Sequence, residues 1–207
     1  MSKFSVEIQG ASPILMNRFG EKPADQISVG SGTSFQSGAK GTPREQAEPK
    51  RYLSANGRLM IPGPNVYAAL IAAGIFQKAG KKQLTTQKSS LIPAGILIDE
   101  MECLLVDPFT DKEPLWEVDS RSVVIPSTGG RVMCHRPRID SWKLGFTLLV
   151  DDKMFGEQLV RTLVDDMGTK IGLGDFRPAR KGPFGRSNVV LWERQVEKKP
   201  VVKTKAA

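Results

Sequence analysis

The order in which the apolar periodicity changes along the chain is its strongest constraint on fold. Phe4, Val6 and Ile8 alternate with Ser5, Glu7 and Gln9, the period-two pattern of a half-buried strand. Pro62-Gly63-Pro64 then introduces Val66, Leu70, Ala73 and Phe76 at helical spacing, with Tyr67 and Ile71 beside them. Proline is tolerated in a first helical turn, so the spacing predicts a helix over 64–79, ended by Gly80. Residues 95–106 read as a long strand, and 115–125 with 130–138 as an extended pair about a Pro126-Ser127-Thr128-Gly129 turn. A strand follows over 142–150, dense in Phe146, Leu148 and Val150. Asp151-Asp152 offers a helix N-cap, and Phe155, Leu159, Leu163 and Val164 give one apolar face to a helix ending at Gly168. The final strand spans 188–196.

Without its loops, this is a β-α-β-β-α-β unit with a hairpin inserted between its second and third strands. The expectation is an α+β fold: an antiparallel sheet with both helices on one face and the other face open to a partner. A single domain should span 1–196, with a long polar loop at 20–56, the inserted hairpin at 115–138 and a basic flexible tail at 197–207. A loop as long as 20–56 is normally functional or mobile. Apolar residues make up 40% of the chain, within the ordinary globular range, and no run is long enough for a membrane span. The N-terminus enters strand-like alternation without a leader-like apolar segment, so a cytoplasmic protein is expected. Cys103 and Cys134 each sit in an apolar run and read as buried free thiols. With one histidine in the chain they cannot build a zinc site, so neither metal nor cofactor is expected.

The net charge of +8 is unevenly placed. Residues 170–207 carry ten basic side chains against three acidic ones, which accounts for +7 of it. A second cluster, Arg121, Arg131, Arg136 and Arg138, has no acidic residue between Ser120 and Ile139. Binding phosphates by counterion displacement needs such concentrated charge. In the segment 168–186, glycines at 168, 172, 174, 182 and 185 are set among Lys170, Arg177, Arg180, Lys181, Arg186 and the rings of Phe176 and Phe184. Glycine permits close approach, so successive amides could face phosphates while the rings stack on unpaired bases. The segment lacks GxxxxGK[ST] and precedes a strand, which excludes a nucleotide-hydrolase phosphate loop.

Gly172-Leu173-Gly174 and Gly182-Pro183-Phe184-Gly185-Arg186, ahead of a last strand, resemble the glycine-rich loop of the RAMP superfamily of CRISPR-associated proteins. Leu59-Met60-Ile61-Pro62-Gly63-Pro64-Asn65-Val66 is similar to the entry into the first helix of CRISPR backbone subunits, and Val6-Glu7-Ile8-Gln9-Gly10 to their first strand. The resemblance implies a ferredoxin-like, RRM-like RNA-recognition core with the inserted hairpin as a thumb. It also implies assembly in multiple copies along a guide RNA, beside other effector subunits. Candidate nucleic-acid contacts are then Arg121, Arg131, His135, Arg136, Arg138, Lys170, Phe176, Arg177, Arg180, Lys181, Phe184 and Arg186. A non-catalytic role is expected. The alternatives are a RAMP-fold endoribonuclease using His135 or Asp25, and a single-strand-binding protein of phage or plasmid origin.

Overall fold

The computed structural model describes residues 1–19, 41–124 and 129–195. Asp25, most of the polar loop, the Pro126-Ser127-Thr128 turn and the basic tail lie outside the described residues. The chain is α+β, with antiparallel sheets and helices of four to eleven residues. Strand β1 (Ser2–Gly10) pairs antiparallel on one side with β10 (Lys143–Val150) and on the other with β11 (Ser187–Gln195). Beyond β10 lie β6 (Ile96–Ile98) and β7 (Glu102–Val106), and β7 pairs with the short edge strand β3 (Met60–Pro62). One face of this sheet carries the core: Phe4, Val6 and Ile8 of β1 meet Leu144, Phe146, Leu148 and Val150 of β10. The apolar sides of α2 (Gly63–Ala73) and α4 (Glu157–Asp166) close that core through Val66, Leu70, Val160, Leu163 and Val164. Each such side chain contributes about 1.5–3 kcal/mol by leaving water.

Several boundaries differ from the sequence reading, each for a physical reason. Helix α2 stops at Ala73, not near Gly80, and a 3₁₀ turn (Gly74–Phe76) follows. A Cβ at Gly74 would lie 2.8 Å from Ile92 Cδ1 and closer still to Thr85 Oγ1, so the chain there is pressed against its neighbours. Residues expected to finish the helix instead open a small ribbon, β4 (Lys78–Ala79) with β5 (Lys82–Gln83). The strand expected over 95–106 is split: a helical turn, α3 (Ile92–Gly95), leads into β6, and the chain breaks before β7. At the break the Glu100 carboxylate takes the Thr147 amide and hydroxyl, both at 2.6 Å, in place of a strand partner. The same turn seats α2, because the Gly63 amide donates to the Met101 carbonyl at 2.8 Å. Asp151-Asp152 does not cap α4, whose N-cap is Gly156. Asp151 organises the turn before it, and Asp152 accepts from Ser2 Oγ at 2.8 Å. Within the expected polar loop, α1 (Pro43–Ala47) forms behind a complete Thr42–Glu45 capping box.

The inserted hairpin is present as β8 (Glu117–Val124) and β9 (Arg131–Ile139). It joins the two-residue strand β2 (Ile14–Leu15), not the main sheet. A lone two-stranded ribbon is marginal in water, so its position depends on what it packs against. Asp175, in the glycine-rich segment, provides the anchor. Its amide donates to the Leu15 carbonyl at 2.8 Å, its Oδ2 accepts from Asn17 at 3.1 Å, and Arg136 Nε of β9 lies 2.9 Å from the same oxygen. That Nε makes no aligned hydrogen bond, so the contact is held by charge. The Arg136 side chain is 10% exposed and that of Asp175 29%. An arginine so placed needs its counter-ion.

Asp175→Ala is expected to lower stability by about 2–3 kcal/mol, less than for a fully buried pair because Asp175 is partly exposed. Urea denaturation measures it, and Arg136→Met in the same background should restore part of the loss; an unaltered midpoint in Asp175→Ala would refute the anchoring role. Burial, with Glu100 nearby, pushes the Cys103 thiol up to about 12 from the ordinary 9.0. Because the folded value is raised, the stabilisation this gives is complete below pH 9.0 and is lost as pH rises through about 12. At pH values below that window Cys103 should resist alkylation in the native state, while the half-buried Cys134 is labelled first. Peptide mapping after a brief iodoacetamide pulse reads the order.

Candidate nucleic-acid interface

The glycine-rich segment leaves α4 through a wide helical turn (Met167–Ile171) and reaches β11 by a compact loop. Gly185 is required there: φ is +71°, and an added Cβ would run into the Leu173 carbonyl. Gly182 is equally confined, against the Phe176 carbonyl. The loop's amides are committed within the fold. Gly172 donates to Met167, Leu173 to Gly185, Gly182 to Arg177, Phe184 to Phe176 and Gly185 to Pro13. The Arg186 amide donates to Ser12 Oγ at 3.0 Å. The expectation that successive amides face phosphates is therefore corrected. What the loop offers outward is side-chain charge.

The cations of the loop divide by partner. Arg180 and Lys181 are exposed, Lys181 with φ +60° at the end of a short 3₁₀ turn (Pro178–Arg180). Arg177 is half-buried and donates to the Gly174 carbonyl at 2.9 Å. Arg186 is exposed and its guanidinium reaches the Thr169 carbonyl. Lys170 pairs with Asp166 at 2.7 Å and lies 4.7 Å above the Phe76 ring, away from the other loop cations in its contacts.

The hairpin arginines are not the uncompensated cluster that the sequence window suggests. Arg136 is buried against Asp175. Arg138 is held by Asp140 at 2.8 Å and Glu117 at 3.2 Å, and the Asp140 hydrogen bond raises its pKa further. Arg121 pairs with Asp119 at 2.9 Å. Arg131 is exposed, and no ion pair among the described residues involves it. His135 shares its row of the ribbon with Ser120, whose Oγ lies 2.7 Å from His135 Nδ1. Side chains alternate across a strand, so His135 points to the opposite face from Arg136 and Asp119. The histidine and its sequence-adjacent arginines thus do not form one cluster.

Hairpin and loop do come together. The Arg121 guanidinium sits 4.9 Å over the Phe184 ring, and the Phe184 and Phe176 centroids are 6.1 Å apart. Phe184 is buried and one ring face is covered by Arg121, so it supports the loop and does not offer that face to a base. Phe176 is half-buried, at φ +48°. Beside them a cavity of about 270 Å³ lies between α2, the end of β2 and the loop, lined by Asn17, Asn65, Ala68, Gly174, Asp175 and Arg177 among others. Sequence reasoning missed Asn17 and Asn65. The signal for Asn65 was available: it follows Pro64 in the first helical turn, where a long apolar side chain would have been the default for a helix buried on most sides. The alanine face of α2 makes room for a flat group, and the amides of Asn17 and Asn65 and the Arg177 guanidinium supply polar edges. Asp175, the one carboxylate in the lining, is already engaged by Arg136 and Asn17.

No protein-family model matches the sequence, and no curated protein matches it. Among solved structures, the chain is similar to a chain of the Type III-B Cmr-β complex bound to cognate target RNA, determined by cryo-EM. The TM-score is 0.52 at 9% sequence identity, over 93% of this chain and 60% of that chain. At that identity the likeness is one of fold alone, and it singles out no particular subunit.

Proposed function

We propose that this chain is a non-catalytic RNA-binding subunit of the CRISPR-associated RAMP kind. Its core is ferredoxin-like, it forms one domain over 1–196, and it takes single-stranded guide RNA along the glycine loop, past its junction with the hairpin and the cavity against α2. The order β11–β1–β10–β6/β7, with two helices on one face, supports the core. One observation carries the binding role. Two segments separated in sequence, the hairpin and the glycine loop, are locked together through Arg121–Phe184 and Arg136–Asp175. Of their remaining cations, Arg180 and Lys181 of the loop are left exposed next to that junction, whereas Arg131 stands near the hairpin tip on the face of His135. Buried Arg136 and the ring-stacked Arg121 build the junction, and the exposed cations of the loop meet phosphate. The fold likeness to a chain from an RNA-bound Cmr-β complex agrees with this reading. Assembly in several copies on one RNA, beside other effector subunits in the cytoplasm, completes it. The ribonuclease alternative draws no support from His135, which faces away from the junction.

Replacing Arg177, Arg180, Lys181 and Arg186 together by alanine should abolish binding of a single-stranded RNA while the protein still folds, because three of the four are exposed. Affinity of the wild type should fall steeply with salt, by roughly 0.7 in slope for each phosphate neutralised. Fluorescence anisotropy across a salt series reads both; a quadruple variant with unchanged affinity and slope would sink the proposed site. Phe176→Ala should weaken binding with little change in melting temperature, whereas Phe184→Ala should destabilise by roughly 3–5 kcal/mol, as buried phenylalanines do. Sizing on a long RNA tests the multi-copy role, since a strict one-to-one complex contradicts it.

A further inference from the structure

The β4–β5 ribbon lies in an unusual stretch of sequence. From residue 49 to residue 98 there is no Asp or Glu, while Lys50, Arg51, Arg58, Lys78, Lys81, Lys82 and Lys88 are all cationic. Lys50 and Arg51 are consumed by the fold: Lys50 donates to the His135 carbonyl at 2.6 Å, and Arg51 pairs with Glu48 at 2.8 Å. Lys78, Lys81, Lys82 and Lys88 are exposed, and no ion pair among the described residues involves them. Three of them sit on a ribbon of six residues, Lys78 to Gln83, turned at Gly80 with φ +62°.

The ribbon is fixed to the core. The Leu84 amide donates to the Gln77 carbonyl at 2.9 Å, Leu84 itself is buried, and Gln83 Nε2 reaches the Ile75 carbonyl at 3.1 Å. Its root is fixed as well: Gln77 donates to Asp166 at 2.8 Å, and Lys170 pairs with the same carboxylate while covering Phe76. That root adjoins, in sequence, two segments that line the cavity. Ala72 of α2 and Gly172 of the loop line the cavity; four residues beyond the first and two before the second, Phe76 and Lys170 meet each other. Beyond them come the lysines, with Ile75 and Phe76 exposed at their base. Anchored, unpaired, closely spaced cations at the end of a groove suit a chain of phosphates leaving that groove.

We infer that the β4–β5 ribbon is a second phosphate-binding element, which holds the flank of a single-stranded RNA as it leaves the α2–glycine-loop groove at the Lys170–Phe76 end. This rests on the RNA-binding reading above. It adds that the track on one copy runs past the hairpin and loop to Lys78, Lys81 and Lys82.

The test compares oligouridylates of roughly 8 and 30 nucleotides, below and above what one small domain covers, on the full chain. Lys78→Glu/Lys81→Glu/Lys82→Glu should leave affinity for the short RNA unchanged. For the long RNA, affinity should fall by roughly tenfold or more and the salt slope should flatten by up to about 2, at about 0.7 per phosphate lost. The same substitutions to Gln should give the same pattern more weakly, and a thermal melt confirms that both variants fold. If the wild type binds both RNAs and the variant matches it on both, the ribbon is outside the track while the RNA-binding reading stands. Equal weakening on both lengths overturns the inference in favour of general electrostatic steering. A change in self-association, or in binding to an acidic protein, with RNA affinity unaltered would make the ribbon a protein contact. If the wild type binds neither RNA, the RNA-binding reading fails and this inference with it.

Discussion

Removing the carboxylate of Asp175 would leave the hairpin without its counter-charge and the glycine loop without its seat. Arg136 projects from β9 into an environment where it is 10% exposed, and a guanidinium there needs a carboxylate. The hairpin has no acidic residue placed to serve it, because Asp119 is taken by Arg121. The counter-charge therefore comes from another part of the chain, and its arrival pins the glycine loop to the hairpin. The Asp175 amide is tied in turn to Leu15, whose strand is the hairpin's third member. One side chain thus connects three segments widely separated in sequence.

The same economy explains the glycines. A loop that must pass beneath Phe176, over Leu173 and alongside Leu15 has no room for Cβ atoms at Gly182, Gly185 and Gly174. Its amides bond to the backbone they approach. The result is a rigid platform, with Phe184 buried beneath Arg121, from which Arg180 and Lys181 project. Rigidity matters for a weak, repeated contact such as phosphate binding, because ordering a floppy loop at the moment of binding would consume much of the gain.

Most of the main sheet was legible in the sequence, because period-two alternation in β1 and dense apolar content in β10 leave little choice of face. The hairpin was legible for the same reason, to within about two residues of its observed limits. Legibility failed where a tertiary contact overrides a local pattern. The strand expected over 95–106 has apolar runs at 96–98 and 103–106, yet it breaks at the acidic residues between them because α2 starts against that turn. The helix over 64–79 stops at Ala73 and gives way to a 3₁₀ turn, where the Ile71 and Gly74 carbonyls accept from the Thr85 hydroxyl and amide. Helix α1 was missed although Thr42-Pro43-Arg44-Glu45 is a capping box in plain sequence, hidden by the polar composition around it. At the candidate site, the identities of the glycines and exposed cations were readable, whereas which arginines are spent on structure was not.

That last failure has a single cause. Charge was counted along the sequence, but neutralisation happens in space. The window 121–138 looked uncompensated only because Glu117, Asp119, Asp140 and Asp175 lie outside it. Within 170–207, Lys170 is met by Asp166, and Arg194 approaches Asp152 at 3.5 Å and Glu157 at 3.8 Å. The opposite charges of such pairs largely cancel at a distance, and salt screens the remainder beyond a Debye length of about 10 Å at 0.1 M, so they add little to the far field. The opposite holds for 49–98, where seven basic residues meet no acidic one in sequence and most of the lysines stay exposed, with no ion pair among the described residues. The field that a polyanion meets is therefore set less by the formal +8 than by two groups of free cations. One surrounds the junction of hairpin and glycine loop, and the other stands at the far end of α2. On the path we infer for the RNA, the cavity lined by Ala68, Ala69 and Ala72 of α2 lies between the two groups. Low-dielectric walls concentrate field lines from such ends into the space between them, which favours an extended anion lying along the groove over a compact one bound at a single point.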